Sequence, residues 1–338
     1  MNIYDISKLS GVSVTTVSRV INGSEKVSEK TRRKVLSVMN EAGYTPNAFA
    51  RGLGLDTMRT VGILCVDPSD PNACTNLVQS IGFLEKELRL QGYDSVLYCI
   101  EYDMKGKADC LNMMLNRRVD AIIIVGSFFI EANPKSNQCI LDAAKTTPVW
   151  LVNGNFEGDN IYSVLCDDFM TTRKAALHLI DHGSKNILFL HSTLSESEKR
   201  KANGFSKALK DRDLPVREEY IRSCPRDIDE GRDFLMKLAD NGLKFDAVVA
   251  CEDTIAMSVL KYAHARNIKI PEELSIVGHG NSILTKCCYP ELSTVDNNIE
   301  TMCVSTISML IRHFEAGHTP AQTIISGNLV HRATTICD

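Results

Sequence analysis

From Thr60 onward the chain alternates short apolar runs rich in β-branched residues with amphipathic stretches of helical period. The runs are VGILCV (61–66), SVLYCI (95–100), AIIIV (121–125), VWLV (149–152), NILFL (186–190), AVVAC (247–251) and LSIVG (274–278). Between them lie helical patterns such as LVQSIGFLEKELRLQG (77–92) and EDTIAMSVLKYAHARN (252–267). Such alternation folds as right-handed crossovers, which build parallel sheets with helices on both faces. Strands buried on both faces read as continuous apolar runs, as these do. The segment is long for one open sheet, so the pattern predicts two doubly wound α/β lobes facing each other across a cleft. The expected first lobe takes about 60–162 and 292–323, the second about 163–291 and 324–338. Ligands of such sheets bind outside the carboxyl ends of the strands, which here face the cleft.

The first 53 residues lack any strand-like run and read as short helices. The first helical pattern ends at Gly11, which supplies the positive φ of a tight turn. Ser13 follows as N-cap of a second helix, VTTVSRVI. A helix, a short turn and a second helix make a helix-turn-helix, whose second helix reads the major groove through its N-terminal residues. Ile6, Leu9, Val12, Val17 and Val20 or Ile21 are spaced to bury a small core, leaving Thr15, Thr16 and Arg19 outward as base-contact candidates. A third helix from Ser28 to about Ala42 presents Lys30, Arg32, Arg33 and Lys34 for phosphate contact. The expected division is a helix-turn-helix domain at 1–45, a hinge helix and linker at 46–59, and the two-lobed core at 60–338.

Charge agrees with that division. The chain total of -4 hides nine basic against five acidic residues in 1–60, while the remaining 29 basic and 37 acidic residues give -8. Affinity for phosphate follows the local field of the module that touches it, within a Debye length of about 8 Å. With 44% hydrophobic and 24% charged residues the chain is expected to be globular and not disordered. No stretch approaches the roughly 18 apolar residues of a membrane span, and the first twenty residues are unlike a signal peptide. A soluble, cytoplasmic protein with no membrane partner is expected.

Twelve cysteines show no two-residue gap of the zinc-knuckle type, so no metal or cofactor is expected. Cys65, Cys99 and Cys251 sit in apolar runs as small buried hydrophobes. His178 and His182 lie four apart on a helix, a spacing that can place two ligands on one face, with no third ligand nearby in sequence. There is no Gly-rich phosphate loop, nucleophile elbow or metal-ligand constellation, which disfavours an enzyme.

VSVTTVSRVING and VSEKTRRKVLSVMNEAGYTPNAFARGL resemble the DNA-binding module of the LacI/GalR family of bacterial transcriptional regulators almost continuously over residues 3–53. TVGILCVDPSDP, HLIDHGSKNILFL, VVACEDTIAMSVL and IPEELSIVGHGN resemble the effector-binding core of the same family, which is similar to periplasmic sugar-binding proteins. The resemblance implies a sequence-specific regulator, a repressor, acting as a homodimer on double-stranded operator DNA, with affinity set by a small-molecule effector in the cleft. It implies DNA contacts from Tyr4, Ser13, Val14, Thr15, Thr16, Ser18, Arg19, Asn22, Ser28, Thr31, Tyr44, Asn47, Ala50 and Arg51. Pro46 to Leu53 would form a hinge helix that inserts Leu53 into the minor groove, with Gly52 and Gly54 weakening it as helix. The alternative is a cytoplasmic metabolite-binding protein with a degenerate DNA-binding module.

The cleft departs from the family pattern. Lys201 stands where an arginine usually grips a sugar, Gly280 and Asn281 replace two aspartates, and Asn72 replaces an aromatic. Lysine cannot hold a diol or carboxylate bidentately. The expected effector residues are Asp67, Ser69, Asn72, Asn153, Asp167, Lys201, Glu252, Gly280, Asn281 and Asn297. Some of these would equally serve as helix caps or strand ties, and Asp167 or Asp168 is expected to cap the helix near Phe169. The departures favour an effector other than a conventional pyranose, a polar or cationic metabolite that offsets the surviving carboxylates; a degenerate site is the other reading.

Overall fold

A computed structural model describes residues 1–21, 24, 26–44, 58–70, 76–131 and 133–336. The N-terminal unit contains α1 (Ile3–Ser10), α2 (Val14–Ile21) and α3 (Glu29–Glu41). Asn2 caps α1 in a box with Asp5, and Gly11 ends it in the left-handed region at φ 66°. Ile6, Val17, Val20, Val35 and Met39 close a small core. Leu9 was expected there and is exposed instead. The inward position one turn after Ile6 is taken by Ser10, whose hydroxyl donates to the Ile6 carbonyl at 2.6 Å and so can be buried without cost to hydrogen bonding.

The first lobe is a six-stranded parallel sheet. In chain order its strands are β1 (Thr60–Val66), β2 (Asp94–Ile100), β3 (Ala121–Val125), β4 (Val149–Val152) and β5 (Ile161–Cys166), joined late in the chain by β11 (Gln322–Ile325). Their spatial order is β11-β5-β4-β3-β1-β2. Helices α4 (Leu77–Leu90) and α12 (Ile299–Ala316) pack together, and α5 (Lys107–Asn116) packs with α6 (Gln138–Ala144). Every residue of β3 and β4 is buried, the two-sided burial that their unbroken apolar runs imply. Cys99, expected to be buried, is exposed, because β2 is the edge strand and only one of its sides meets a neighbour.

The second lobe holds β6 (Ile187–His191), β7 (Ile221–Ser223), β8 (Ala247–Ala250), β9 (Ser275–His279), β10 (Ser293–Asp296) and β12 (Asn328–Val330), in the order β12-β10-β9-β8-β6-β7. All pairings are parallel except β10 with β12. Helix α7 (Asp168–Asp181) packs on α8 (Glu196–Asp211), and α9 (Ile228–Asp240) on α10 (Asp253–Ala265). The first pair meets closely at Gly204, where any Cβ would run into the Phe169 carbonyl. A short helix, α11 (Leu284–Cys287), follows β9.

The lobe boundaries differ from the expected ones. Strand β5 belongs wholly to the first sheet, so the chain crosses after Cys166 and not at 162. Strand β10 belongs to the second sheet, so the return begins after Asp296 and not at 292. TIISGNLV is two strands, one in each sheet, parted at Ser326 and Gly327. The crossing segments are laced together: the Asp167 amide donates to Ile325 O at 2.9 Å, and Asn298 Nδ2 donates to Ser326 O at 2.6 Å. Among the described residues no helix is long and apolar enough to cross a membrane.

Candidate functional site

In the N-terminal unit, Ser13 Oγ accepts from the Thr16 amide at 3.2 Å and lies 2.9 Å from the Thr16 hydroxyl, fixing the start of α2. Val17 and Val20 face the core, which leaves Thr15 and Arg19 exposed, with Val14, Thr16 and Ser18 half-buried. Tyr4 is exposed beside them on α1. Ser28 caps α3 through the Thr31 amide. Of the expected phosphate contacts, Arg32 is turned inward, its guanidinium donating to Ser24 O at 2.7 Å, whereas Lys30, Arg33 and Lys34 remain exposed. Tyr44 packs partly against the small core. Asn22, Asn47, Ala50, Arg51 and Leu53 lie outside the described residues.

Between the lobes is a cavity at the carboxyl ends of the strands, open to solvent at its mouth. Of the expected effector residues, Asn153, Lys201, Glu252, Gly280 and Asn297 line it. The others do not. Asp67 turns back on its own loop and accepts from Ser69 N and Oγ. Asp167 caps α7 through the Met170 amide at 3.0 Å. Asn281 is held away by Asp296 and Arg332, which engage both ends of its amide. Asn72 lies outside the described residues.

Sequence reasoning missed Asn76, Ser127, Phe128, Ser195, Ser197, Glu198, Arg226 and His279, all of which line the cavity. Most stand just past the end of a strand or at the start of the next helix, and that position is the signal that could have found them. Phe128 supplies an aromatic wall that the sequence lacks at residue 72, and its ring lies 5.3 Å from that of Tyr102.

Contacts join the lobes across the cavity. Asn76 Nδ2 donates to Gly280 O at 2.7 Å, Ser127 Oγ donates to Ser195 Oγ at 3.2 Å, and the Arg226 guanidinium lies 4.6 Å over the Tyr102 ring. Glycine is required at 280: its φ is +128°, and a Cβ there would sit 2.7 Å from Asn76 Nδ2.

The charges around the cavity are balanced within the protein. Arg226 pairs with Glu252 at 2.5 Å. Burial pushes the Glu252 carboxyl up and Arg226 pulls it back. Burial also opposes the Glu198 charge, but hydrogen bonds from Ser192, Cys251 and the Ser195 amide overcome it and hold the carboxyl at about 2. Lys201 Nζ donates to Cys251 O at 3.1 Å and lies 4.0 Å from Asp168, which in turn accepts from Arg200 at 2.7 Å. Burial disfavours the lysine charge, yet Asp168 foremost holds its pKa above the ordinary value. His279, 3.9 Å from Asp168, is pushed well below the ordinary imidazole range by burial and then by Lys201. Glu198, Cys251 and Glu252 offer donor atoms within 4.8 Å of one another, but both carboxylates are already spent on these bonds, an arrangement of an internal brace and not of an open metal site.

Three buried amide oxygens lining the cavity have no hydrogen-bond partner among the described residues: Asn76 Oδ1, Asn153 Oδ1 and Asn297 Oδ1. A carbonyl oxygen only accepts, so the cavity is suited to a molecule that donates. The expectation of a cationic effector is weakened, because Glu252 is paired with Arg226 and Glu198 is hydrogen-bonded on all sides by neutral donors.

A helix-turn-helix followed by two doubly wound lobes enclosing a polar cavity defines a DNA-reading protein joined to a small-molecule sensor. Residues 2–47 match the bacterial regulatory proteins of the lacI family, and residues 176–335 match a periplasmic binding protein-like domain. An HTH-type transcriptional regulator of Lachnoclostridium phytofermentans is 47% identical over 335 residues, 99% of each chain. Catabolite control protein A of Priestia megaterium is 33% identical over 299 residues, 87% of each. A lac repressor dimer solved with operator and the anti-inducer ONPF shares the fold with a TM-score of 0.86 at 21% identity, covering 100% of this chain and 99% of that one. This chain belongs to the lacI family of bacterial regulatory proteins. It is a DNA-binding transcriptional regulator with an effector-binding domain.

Proposed function

We propose that the protein is a homodimeric, cytoplasmic repressor whose operator affinity is set by an uncharged, hydrogen-bond-donating metabolite held between the lobes. Thr15 and Arg19, exposed in the first and last turns of α2, read base edges, while Lys30, Arg33 and Lys34 meet phosphates. Tyr4, Ser13, Val14, Thr16, Ser18, Ser28, Thr31 and Tyr44 frame that surface, and Asn22, Asn47, Ala50, Arg51 and Leu53 complete it on DNA. Two copies suit a palindromic operator. Exposed apolar side chains on both lobes favour self-association: Val78 and Leu90 on α4, Leu97 on the edge strand β2, and Ile283 and Tyr289 after β9.

The observation that carries the effector reading is the set of oxygens on Asn76, Asn153 and Asn297 with no partner among the described residues, in a cavity whose carboxylates are already engaged, Glu252 by Arg226 and Glu198 by neutral donors. Asn153, Lys201, Glu252, Gly280 and Asn297 would frame the ligand together with Asn76, Phe128 and Arg226. Operators selected from random DNA, followed by a thermal-shift screen of monosaccharides, amino sugars, nucleobases and aliphatic diamines, test the proposal. Stabilisation by uncharged polar compounds, with a matching change in operator affinity, is expected. Stabilisation by diamines alone would overturn the effector assignment. Operator binding by a protein truncated before Thr60 would overturn the DNA-reading assignment.

A further inference from the structure

We propose that His178, His182 and His331 form a binding site for a divalent transition-metal ion such as Zn²⁺ or Ni²⁺, on the second lobe and apart from the cleft. His178 and His182 stand four residues apart on α7, so both imidazoles rise from one face of the helix, with ring centroids 4.2 Å apart. Folding supplies the third imidazole. His331, directly after β12, lies with its ring 4.4 Å from that of His178, because β12 pairs with β10 and packs beside α7. Three imidazoles with open positions for water are a ligand set that suits borderline transition metals.

Two further features prepare the site. The Nδ1 of His182 bonds the His178 carbonyl at 2.7 Å, which selects the tautomer with its lone pair on Nε2, the usual arrangement for a metal-ligating histidine. His182 is also the C-cap of α7, where the helix dipole favours a cation. The backbone at His331 is pinned by its neighbour: the Arg332 amide donates to Ser293 Oγ, and its guanidinium donates to Leu292 O and Asn281 Oδ1. The nearest carboxylate on α7, Asp181, is engaged bidentately by Arg212 and stays outside the ligand set. The rings now lie against one another, so binding requires them to turn about their side-chain torsions. His178 and His182 are half-buried and His331 is exposed, and the ring nitrogens of the three do not yet lie within 4.8 Å of one another.

The test is a calorimetric titration of NiCl₂ alone into the full chain and into the His331→Ala and His182→Ala variants, with an absorbance spectrum at each end point. One ion per chain, weakened about tenfold or more in both variants, with no thiolate-to-metal charge-transfer band, is the expected result. The exposed position of His331 makes loss of fold an unsuitable explanation for its variant, and matching melting temperatures in EDTA check this. No saturable binding by the full chain, a variant that binds like it, or a thiolate band would each overturn the site.

Discussion

Asn76 and Gly280 stand on opposite lobes and are joined by one hydrogen bond, from Asn76 Nδ2 to the Gly280 carbonyl at 2.7 Å. The same amide turns its unpartnered oxygen toward the cavity. One side chain thus touches the second lobe and the effector space together. Gly280→Ala should break this link, because the new Cβ meets Asn76 and the backbone is left in a region that glycine alone adopts readily. A loss of about 1–3 kcal/mol and a larger radius of gyration by solution scattering are expected. Gly242→Ala, with positive φ but open space around it, should cost stability without opening the cleft.

Arg226→Ala leaves the half-buried Glu252 without its cation and removes the contact with Tyr102. Breaking a buried pair from one side costs about 3–5 kcal/mol. Urea unfolding should show that loss, and the double variant Arg226→Met, Glu252→Gln should recover most of it.

Stability should fall in two steps as the solution is acidified. The imidazoles of His279 and His191 are depressed, in both cases chiefly by burial, so the unfolded chain takes up protons near pH 6.5 that the folded chain refuses. Their contribution is present above that pH and is lost as pH falls below it, at up to about 1.4 kcal/mol per pH unit for each proton. Glu198, at about 2 when folded, acts with the same sign lower down: its contribution is present above the ordinary value of 4.5 and is lost as pH falls toward 2. Chemical denaturation from pH 7.5 to 3 checks this. His279→Gln should flatten the upper limb in part, with His191 supplying the rest, and Glu198→Gln should flatten only the lower limb.

Arg19→Ala should relax discrimination at one base pair of each half-site, by about 1–3 kcal/mol. Lys34→Ala should weaken all DNA about equally and reduce the salt slope by about 1. Binding titrations against the selected operator and single-base variants, at two salt concentrations, separate the two. Unchanged preference in Arg19→Ala would show that α2 is not the reading helix.

The lobes were legible in the sequence because strands covered on both faces must be apolar throughout, as AIIIV at 121–125 is. Their boundaries were not, because IYSVLC has the same apolar character whichever sheet receives it, and only pairing with β4 and β11 assigns it to the first. Helix α2 was legible because its buried and exposed faces follow one local period. Leu9 misled because its place in the core went to a serine that satisfies its own hydroxyl.

The cleft divides in the same way. Asn153, Lys201 and Glu252 could be named from strand ends and from resemblance, since each depends on a position along the chain. Phe128, Arg226 and His279 stand at such positions too and were passed over, whereas the bond from Asn76 to Gly280 across 204 residues has no local signature. The pairing of Glu252 with Arg226, and the bonds of Asp67 to Ser69 and of Asp167 to the Met170 amide, engaged the carboxylates that the cleft positions had offered to a cation. Local pattern therefore settles which segments become helix, strand and DNA reader, because periodicity and capping act within a few residues. Which charges are compensated around the cavity is a property of distances between residues far apart in the chain, and only the folded chain sets those.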